Sequence, residues 1–409
     1  MPTRGRTIAC CCAALVLLRV VIVGVALDQQ ATGGRHTVLP GDVRRFHQLA
    51  RRRGTPYADF AVEYPPLTLA AIDALDGRTV RQATVHLMWS QVALDALIAL
   101  LLAWGWGRRA ALLYLLLGLA FAWYPFLYLR LDLLSVALAV GGLALVRRRF
   151  AGTGGALVAV ACFAKLWPLV LAPGFAARRS WRALATFVAV GVTGAAAWVG
   201  WAGIDGPVQV LTFRGAKGWQ IESTIGAVLH VFAGADAHIE RGAARLGVVP
   251  DWARLGLPAL ALLGVGAVWW LVHRRPHAPV HVVDGVAPVA AVATLLVGAT
   301  LLSPQYVSWL LPFAAIAAAG GEWAIGWLTA LVAGLSTLDL NLVKEVNRGL
   351  ELPMVVVLLR NAALIGLLVV AVVRVLQARQ RLALVYKGMP PTTVTVTVVD
   401  DAPVPVRIS

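Results

Sequence analysis

Stretches of about 20 consecutive, mostly apolar residues recur from Ile8 to Arg374, and that is the length an α-helix needs to cross roughly 30 Å of hydrocarbon. Such a pattern leaves few options. Inside hydrocarbon every backbone N–H and C=O must be satisfied by the segment itself, so the runs form helices and the chain is an all-α polytopic membrane protein. Composition agrees: of 409 residues 59% are hydrophobic and 14% charged, with a mean hydropathy of +0.77, whereas a soluble domain carries roughly 25% charged residues. A water-soluble enzyme is excluded.

The runs predict about ten spans, at 8–27, 83–104, 110–128, 131–146, 184–204, 255–273, 287–302, 307–319, 323–340 and 353–373. The first follows Arg4 and Arg6 like a signal sequence, but it is longer than a usual signal core and lacks a convincing small-x-small cleavage site, so it reads as an uncleaved helix. The chain holds 36 basic and 20 acidic residues, a formal charge of +16. The clusters Arg108-Arg109, Arg147-Arg148-Arg149, Arg178-Arg179, Arg274-Arg275 and Arg379/Arg381 sit at the ends of apolar runs. There they orient helices by the positive-inside rule and touch anionic headgroups, so the charge does not point to nucleic acid. With the N-terminus in the cytoplasm, alternation puts the clusters after the second and fourth spans, and the arginine-rich tail, on the inside.

The segment 150–177 resists alternation. Arginines flank both its ends, and Lys165 and Pro168 divide it into two arms too short to cross. This predicts a hairpin that dips into the membrane and returns, its irregular tip buried in protein; a single tilted span with a proline kink is the alternative. Two long exterior connections are expected, 28–82 and 205–251, within a transmembrane domain of residues 1–376, followed by a cytoplasmic, disordered tail at 377–409. In the first connection Val43, Phe46, Leu49 and Ala50 have helical spacing, which suits a helix in the outer headgroup plane.

Cys10, Cys11, Cys12 and Cys162 all lie inside apolar segments and form no metal-like pair of pairs. No His-Glu-x-x-His, Walker loop or strand-borne glycine fingerprint occurs, and no internal repeat of the transporter kind. Neither cofactor nor divalent metal is expected, and the substrates must be reachable from the membrane.

The first connection carries three carboxylates, Asp42, Asp59 and Glu63, the last followed by Tyr64-Pro65-Pro66. Any of them could serve as a general base for a hydroxyl, or all three could simply balance the loop's arginines. Arg130, beside Asp132 at the end of the third span, is a candidate phosphate ligand or an interfacial anchor. Lys165, the lysine deep in an apolar segment, is a candidate ligand or a snorkelling side chain. Glu222 precedes Ser223-Thr224 and could contact sugar or acceptor, although a helix cap at Ser223 or Thr224 accounts for the same residues. Gln305, Tyr306 and Trp309 suit sugar hydroxyls and sugar faces, or an aromatic belt. Asp95, within the second span, is expected to pair with another helix or a hydroxyl.

Taken in order, Asp42, the stretch Phe60 to Leu67 (Phe-Ala-Val-Glu-Tyr-Pro-Pro-Leu), Arg130-Leu131-Asp132, Lys165-Leu166-Trp167-Pro168 and Ser303-Pro304-Gln305-Tyr306 resemble glycosyltransferase family 87. That family comprises integral-membrane GT-C enzymes, among them actinobacterial mannosyltransferases that use polyprenol-phosphate mannose. The resemblance spans roughly residues 8–375 and implies a bacterial plasma-membrane glycosyltransferase of cell-envelope biosynthesis with an extracytoplasmic active site. It implies transfer of a hexose, mannose first among the candidates, from a polyprenyl-phosphate donor to a lipid or glycan acceptor. Asp42 matches the family's proposed base, with Asp59 and Glu63 as alternatives. Arg130 and Lys165 would bind the donor phosphate, and Tyr64, Glu222, Gln305, Tyr306 and Trp309 would contact sugar or acceptor. The rival readings are a transporter or flippase for a lipid or amphipathic solute, with Asp95, Arg130, Asp132 and Lys165 as a charged pathway, and a non-enzymatic membrane scaffold.

Overall fold

The computed structural model describes residues 2–31, 41–123 and 125–387. The tail from Gly388, expected to be disordered, lies outside the described residues. The chain opens with α1 (Pro2–Ala31); α2 (Gly41–Ala50) and α3 (Pro66–Leu75) occupy the first long connection, and α4 (Val80–Trp106) follows. Then come α5 (Arg108–Leu117), α6 (Leu119–Trp123), α7 (Asp132–Arg147), α8 (Ala151–Ala164), α9 (Pro173–Ala177) and α10 (Trp181–Ala202). The second connection holds α11 (Asp205–Leu211), β1 (Trp219–Gln220), α12 (Thr224–Ala233), β2 (Ala237–Glu240) and β3 (Ala243–Leu246). The chain continues with α13 (Asp251–His273), α14 (Ala287–Val297), α15 (Leu311–Ala319), α16 (Trp323–Asn341), α17 (Val343–Asn347) and α18 (Glu351–Lys387), which runs past the expected start of the tail.

Among the described residues six helices are long and apolar enough to span a bilayer: Gly5–Gln29, Val80–Trp106, Trp181–Ala202, Asp251–His273, Trp323–Asn341 and Glu351–Ala378. The other expected spans are shorter or broken. The run 110–128 divides at Gly118, and 287–302 and 307–319 yield only α14 and α15, with a 3-10 turn at Pro304–Trp309 between them. These two helices lie at the centre of the bundle, with Val289, Ala290, Ala291, Phe313, Ala314 and Ala315 fully buried. Broken backbone is tolerated there because protein surrounds it.

Charge inside the bundle is held by pairing. Arg19 of α1 and Asp95 of α4, each 2% exposed, meet at 2.7 Å. Asp95 also accepts from the hydroxyls of Tyr114 (2.5 Å) and Tyr128 (2.8 Å), and Arg19 donates to the Leu115 carbonyl at 2.6 Å. The partner expected for Asp95 is therefore both another helix and hydroxyls, and the pair persists because nearly every polar atom is satisfied.

Segment 150–177 is a hairpin. Helix α8 rises to Lys165, whose backbone is extended (φ −152°, ψ 147°), and the chain returns through a 3-10 turn at Trp167–Leu171 and α9. Arg147 before it and Arg178 after it both reach Asp284, at 4.0 and 2.6 Å. One aspartate cannot be approached from opposite faces of a membrane, so the single kinked span is excluded. Gly142 of α7 and Gly154 of α8 allow the close approach: a Cβ on either would come within 2.7 and 2.5 Å of the other's carbonyl oxygen.

The connections fold as a cap at the Asp132 end of α7. Helix α2 buries Val43 and Phe46 against Ile72, Leu75, Ala83, Leu87 and Leu131. The apolar face expected to meet the headgroup plane therefore packs, at Val43 and Phe46, on protein. The second connection forms a three-stranded antiparallel sheet in the order β1-β3-β2, unforeseen because its strands are only two to four residues long. Its hairpin turns at Arg241 (φ 53°) and Gly242 (φ 83°), the paired positive φ angles of a tight type I′ turn. Trp219, Ile221, Ala244, Leu246 and Val249 pack against Val346, Met354 and Val357, which ties the cap to α17 and α18.

Candidate active site

Where the two connections meet the Asp132 end of the bundle, charged side chains from six separate segments converge. Asp42 stands in the first turn of α2, its side chain 35% exposed, and forms an ion pair with Arg130 from the turn preceding α7. Three residues along α2, Arg45 pairs with Glu63, whose carboxylate also receives Arg214 at 3.1 Å. Tyr64 lies edge-on to Phe46 at 5.7 Å and 6.0 Å from the Arg45 guanidinium. Burial lowers the pKa of Arg130 to about 10, against the opposing pull of Asp132, which leaves it protonated at neutral pH.

The hairpin supplies the second cation. Lys165 Nζ lies 2.5 Å from Asp132 Oδ1, which also accepts from Trp309 Nε1 at 2.8 Å. The ammonium sits 4.6 Å from the Tyr306 ring centre and 5.3 Å from that of Trp309. Tyr306 stacks on Trp309 at 4.3 Å, and Trp309 on Trp167 at 5.4 Å; Trp167 is fixed in turn by its N–H to Ser135 Oγ at 2.9 Å. The extended cap at Lys165 therefore delivers its ammonium into an aromatic cradle built by the 3-10 turn before α15.

Of the residues singled out from the sequence, Asp42, Glu63, Tyr64, Arg130, Lys165, Tyr306 and Trp309 come together here. Trp309 is 6% exposed and stacked on two other rings, so its role in the geometry is to hold Asp132 and Lys165. Glu222 is buried and close enough to Arg130 to act on it electrostatically. The cap reading of its neighbour also holds, since Ser223 Oγ accepts from Gly226 N at 3.1 Å. Gln305 is buried and bonded to Ser303 within its own loop. Asp59 accepts from Thr55 N at 2.6 Å, a contact within its own exposed turn.

Sequence reasoning missed four charged residues. Arg45 stood among the arginines of the first connection and Arg214 drew no reading, and nothing in their spacing pointed at Glu63. Asp339 and Arg360 were passed over inside apolar runs, although an ionisable residue in such a run is itself a signal. Arg360 donates to Asp339 Oδ2 at 2.5 Å and to the Glu222 carbonyl, and Asn361 Nδ2 reaches the same carbonyl at 3.2 Å.

Fold and site together define an all-helical polytopic membrane protein whose conjoined acids and cations are gathered at one end of the bundle. The chain matches the model of glycosyltransferase family 87 over residues 62–304, more than half its length, and it belongs to that family. It is accordingly a glycosyltransferase. The matched segment contains Glu63, Arg130, Asp132, Lys165 and Glu222, while Asp42, Tyr306, Trp309, Asp339 and Arg360 lie beyond it. No curated protein matches the chain.

Proposed function

We propose that the protein transfers a hexose, mannose first among the candidates, from a polyprenyl-phosphate donor to a lipid or glycan acceptor by a single inverting displacement. The observation that carries this reading is the pairing of Asp42 with Arg130, with the Lys165–Asp132 pair a short distance along the same end of the bundle. The phosphodiester of the donor, bound by Arg130, competes with Asp42 for the guanidinium and frees the carboxylate. Asp42 then accepts the proton of the acceptor hydroxyl as its oxygen bonds to the anomeric carbon. The bond from that carbon to the phosphate oxygen breaks, and its electron pair leaves on the polyprenyl phosphate beside Arg130 and Lys165. One carboxylate suffices for such a displacement, with Glu63 held between two arginines and Asp59 tied to its own turn. Tyr64, Gln305 and Tyr306 are the proposed sugar and acceptor contacts. No cofactor or metal enters the proposal.

The reading places the cap on the extracytoplasmic side of a bacterial, actinobacterial plasma membrane, with the arginine-rich ends of α7 and α9 inside, in keeping with the positive-inside rule. A charged transport pathway through Asp95 is disfavoured, because that carboxylate is occupied by Arg19 and two tyrosines. Incubating the purified protein with radiolabelled polyprenyl-phosphate mannose and a membrane lipid extract tests the proposal. Label moves to a new product, and Asp42→Asn abolishes the transfer. Label that stays on the donor, or undiminished transfer by a folded Asp42→Asn variant, overturns it.

A further inference from the structure

Behind Arg130 the buried groups do not balance by charge. Glu222 (6% exposed) and Asp339 (0%) stand close enough to act on each other, and Arg360 (1%), which donates to the Asp339 carboxylate and the Glu222 carbonyl, is the cation they share. One oxygen of each carboxyl is accounted for: Glu222 Oε2 by Gln220 Nε2 and Asp339 Oδ2 by Arg360 Nη1. For Glu222 Oε1 and Asp339 Oδ1 the described residues supply no donor. Two ionised carboxylates in contact, with acceptor atoms left bare in a dry interior, are strongly unfavourable, and one proton between them removes both the repulsion and the unmet acceptors. The groups acting on Glu222 are Asp339 from α16, Arg360 from α18, Arg130 from the turn before α7 and Tyr306 from the turn before α15. Burial, reinforced by Asp339, holds the Glu222 carboxyl well above the usual carboxylate range.

We propose that Glu222 is kept as a neutral acid by sharing one proton with Asp339 against Arg360, and that this makes it a positioning residue which preserves the positive field of the site for an anionic substrate group. Arg45, Arg130, Lys165 and Arg214 meet Asp42, Glu63 and Asp132, four cations against three carboxylates. Arg360 and an ionised Asp339 cancel, so with Glu222 neutral one positive charge is left over for a phosphate, and with both acids ionised none is. The grip of Arg360 and Asn361 on the Glu222 carbonyl fixes where the acid stands.

The nature of the anion rests on the donor reading above, and the test separates the two. Full-length protein in lipid nanodiscs gives, at neutral pH, a carboxylic-acid C=O band in the infrared that disappears in Glu222→Gln. Asp339→Asn leaves Arg360 to be balanced by Glu222, which then ionises. The band is lost, and because the negative charge has moved from Asp339 to Glu222, which acts on Arg130, the KM for polyprenyl-phosphate mannose rises about tenfold while kcat falls less, an effect that lowering the pH reverses. Wild-type transfer declines as pH rises through the Glu222 pKa, and that alkaline limb is missing in Glu222→Gln. Identical infrared spectra for wild type and Glu222→Gln, or an alkaline limb retained by the variant, overturn the inference. A band with no label moved from the donor defeats the donor reading alone and leaves the shared proton standing.

Discussion

Arg130 is the residue on which the site turns, because it touches Asp42 and lies in the field of Asp132, Tyr306 and Glu222. A charge-assisted hydrogen bond contributes roughly 1.5–3 kcal/mol, so Arg130→Met is expected to lower kcat/KM by roughly 10- to 150-fold, read from initial rates of label transfer. Arg130→Lys recovers only part of this, since an ammonium lacks the planar fork. The candidates here were legible from residue type: carboxylates in the first connection, a lone lysine in an apolar run and a Gln-Tyr-x-x-Trp break. Their partners were not, because ion pairs such as Glu63 with Arg214 join residues about 150 positions apart, and no local pattern encodes that. The buried pair of Arg19 and Asp95 makes a separate expectation. Removing one member leaves the other charge unpaired, so Asp95→Asn lowers stability by about 3–5 kcal/mol, measured as reduced thermal stability in detergent.

At the scale of elements the hairpin of α8 and α9 does most to build the site, since its tip carries Lys165 into the aromatic cradle. Arginines at both ends and the Lys165–Pro168 interruption made it readable in advance. What decided between a hairpin and a kinked span was Asp284, which lies more than a hundred residues further on. In a variant without the native cysteines, single cysteines introduced by Arg149→Cys and Arg179→Cys, both at exposed positions, should react with an impermeant maleimide from the same face. Labelling from opposite faces would refute the hairpin. Gly154→Val presses a side chain against the Gly142 carbonyl; overpacking of this kind costs about 1–3 kcal/mol and should lower transfer by displacing Lys165.

For the whole molecule, hydropathy foretold helices in a bilayer and the broad order of spans, while only six of the described helices are long and apolar enough to cross unbroken. It treated every apolar run alike, whereas the central α14 and α15 are sheathed by other helices and can be short. The small sheet escaped notice for the opposite reason: its strands carry too little periodicity to register. The cap is joined to the bundle through Val346, Met354 and Val357, so its stability follows that of α18. Because the Glu222 pKa is raised in the folded state, its contribution to stability is complete at low pH and fades as the pH climbs through that folded value. Thermal melts from mildly acidic to alkaline pH should show this, with Glu222→Gln flattening the dependence.

The long α18 is the last of the described helices, and its Arg360 reaches back to hold a loop nearly 140 residues earlier. A fragment trimmed to the portion shared with the family would keep the hairpin lysine and most of the acids while losing the clasp that seats them. The seating of Glu222 thus depends on a helix outside the segment that the family model matches.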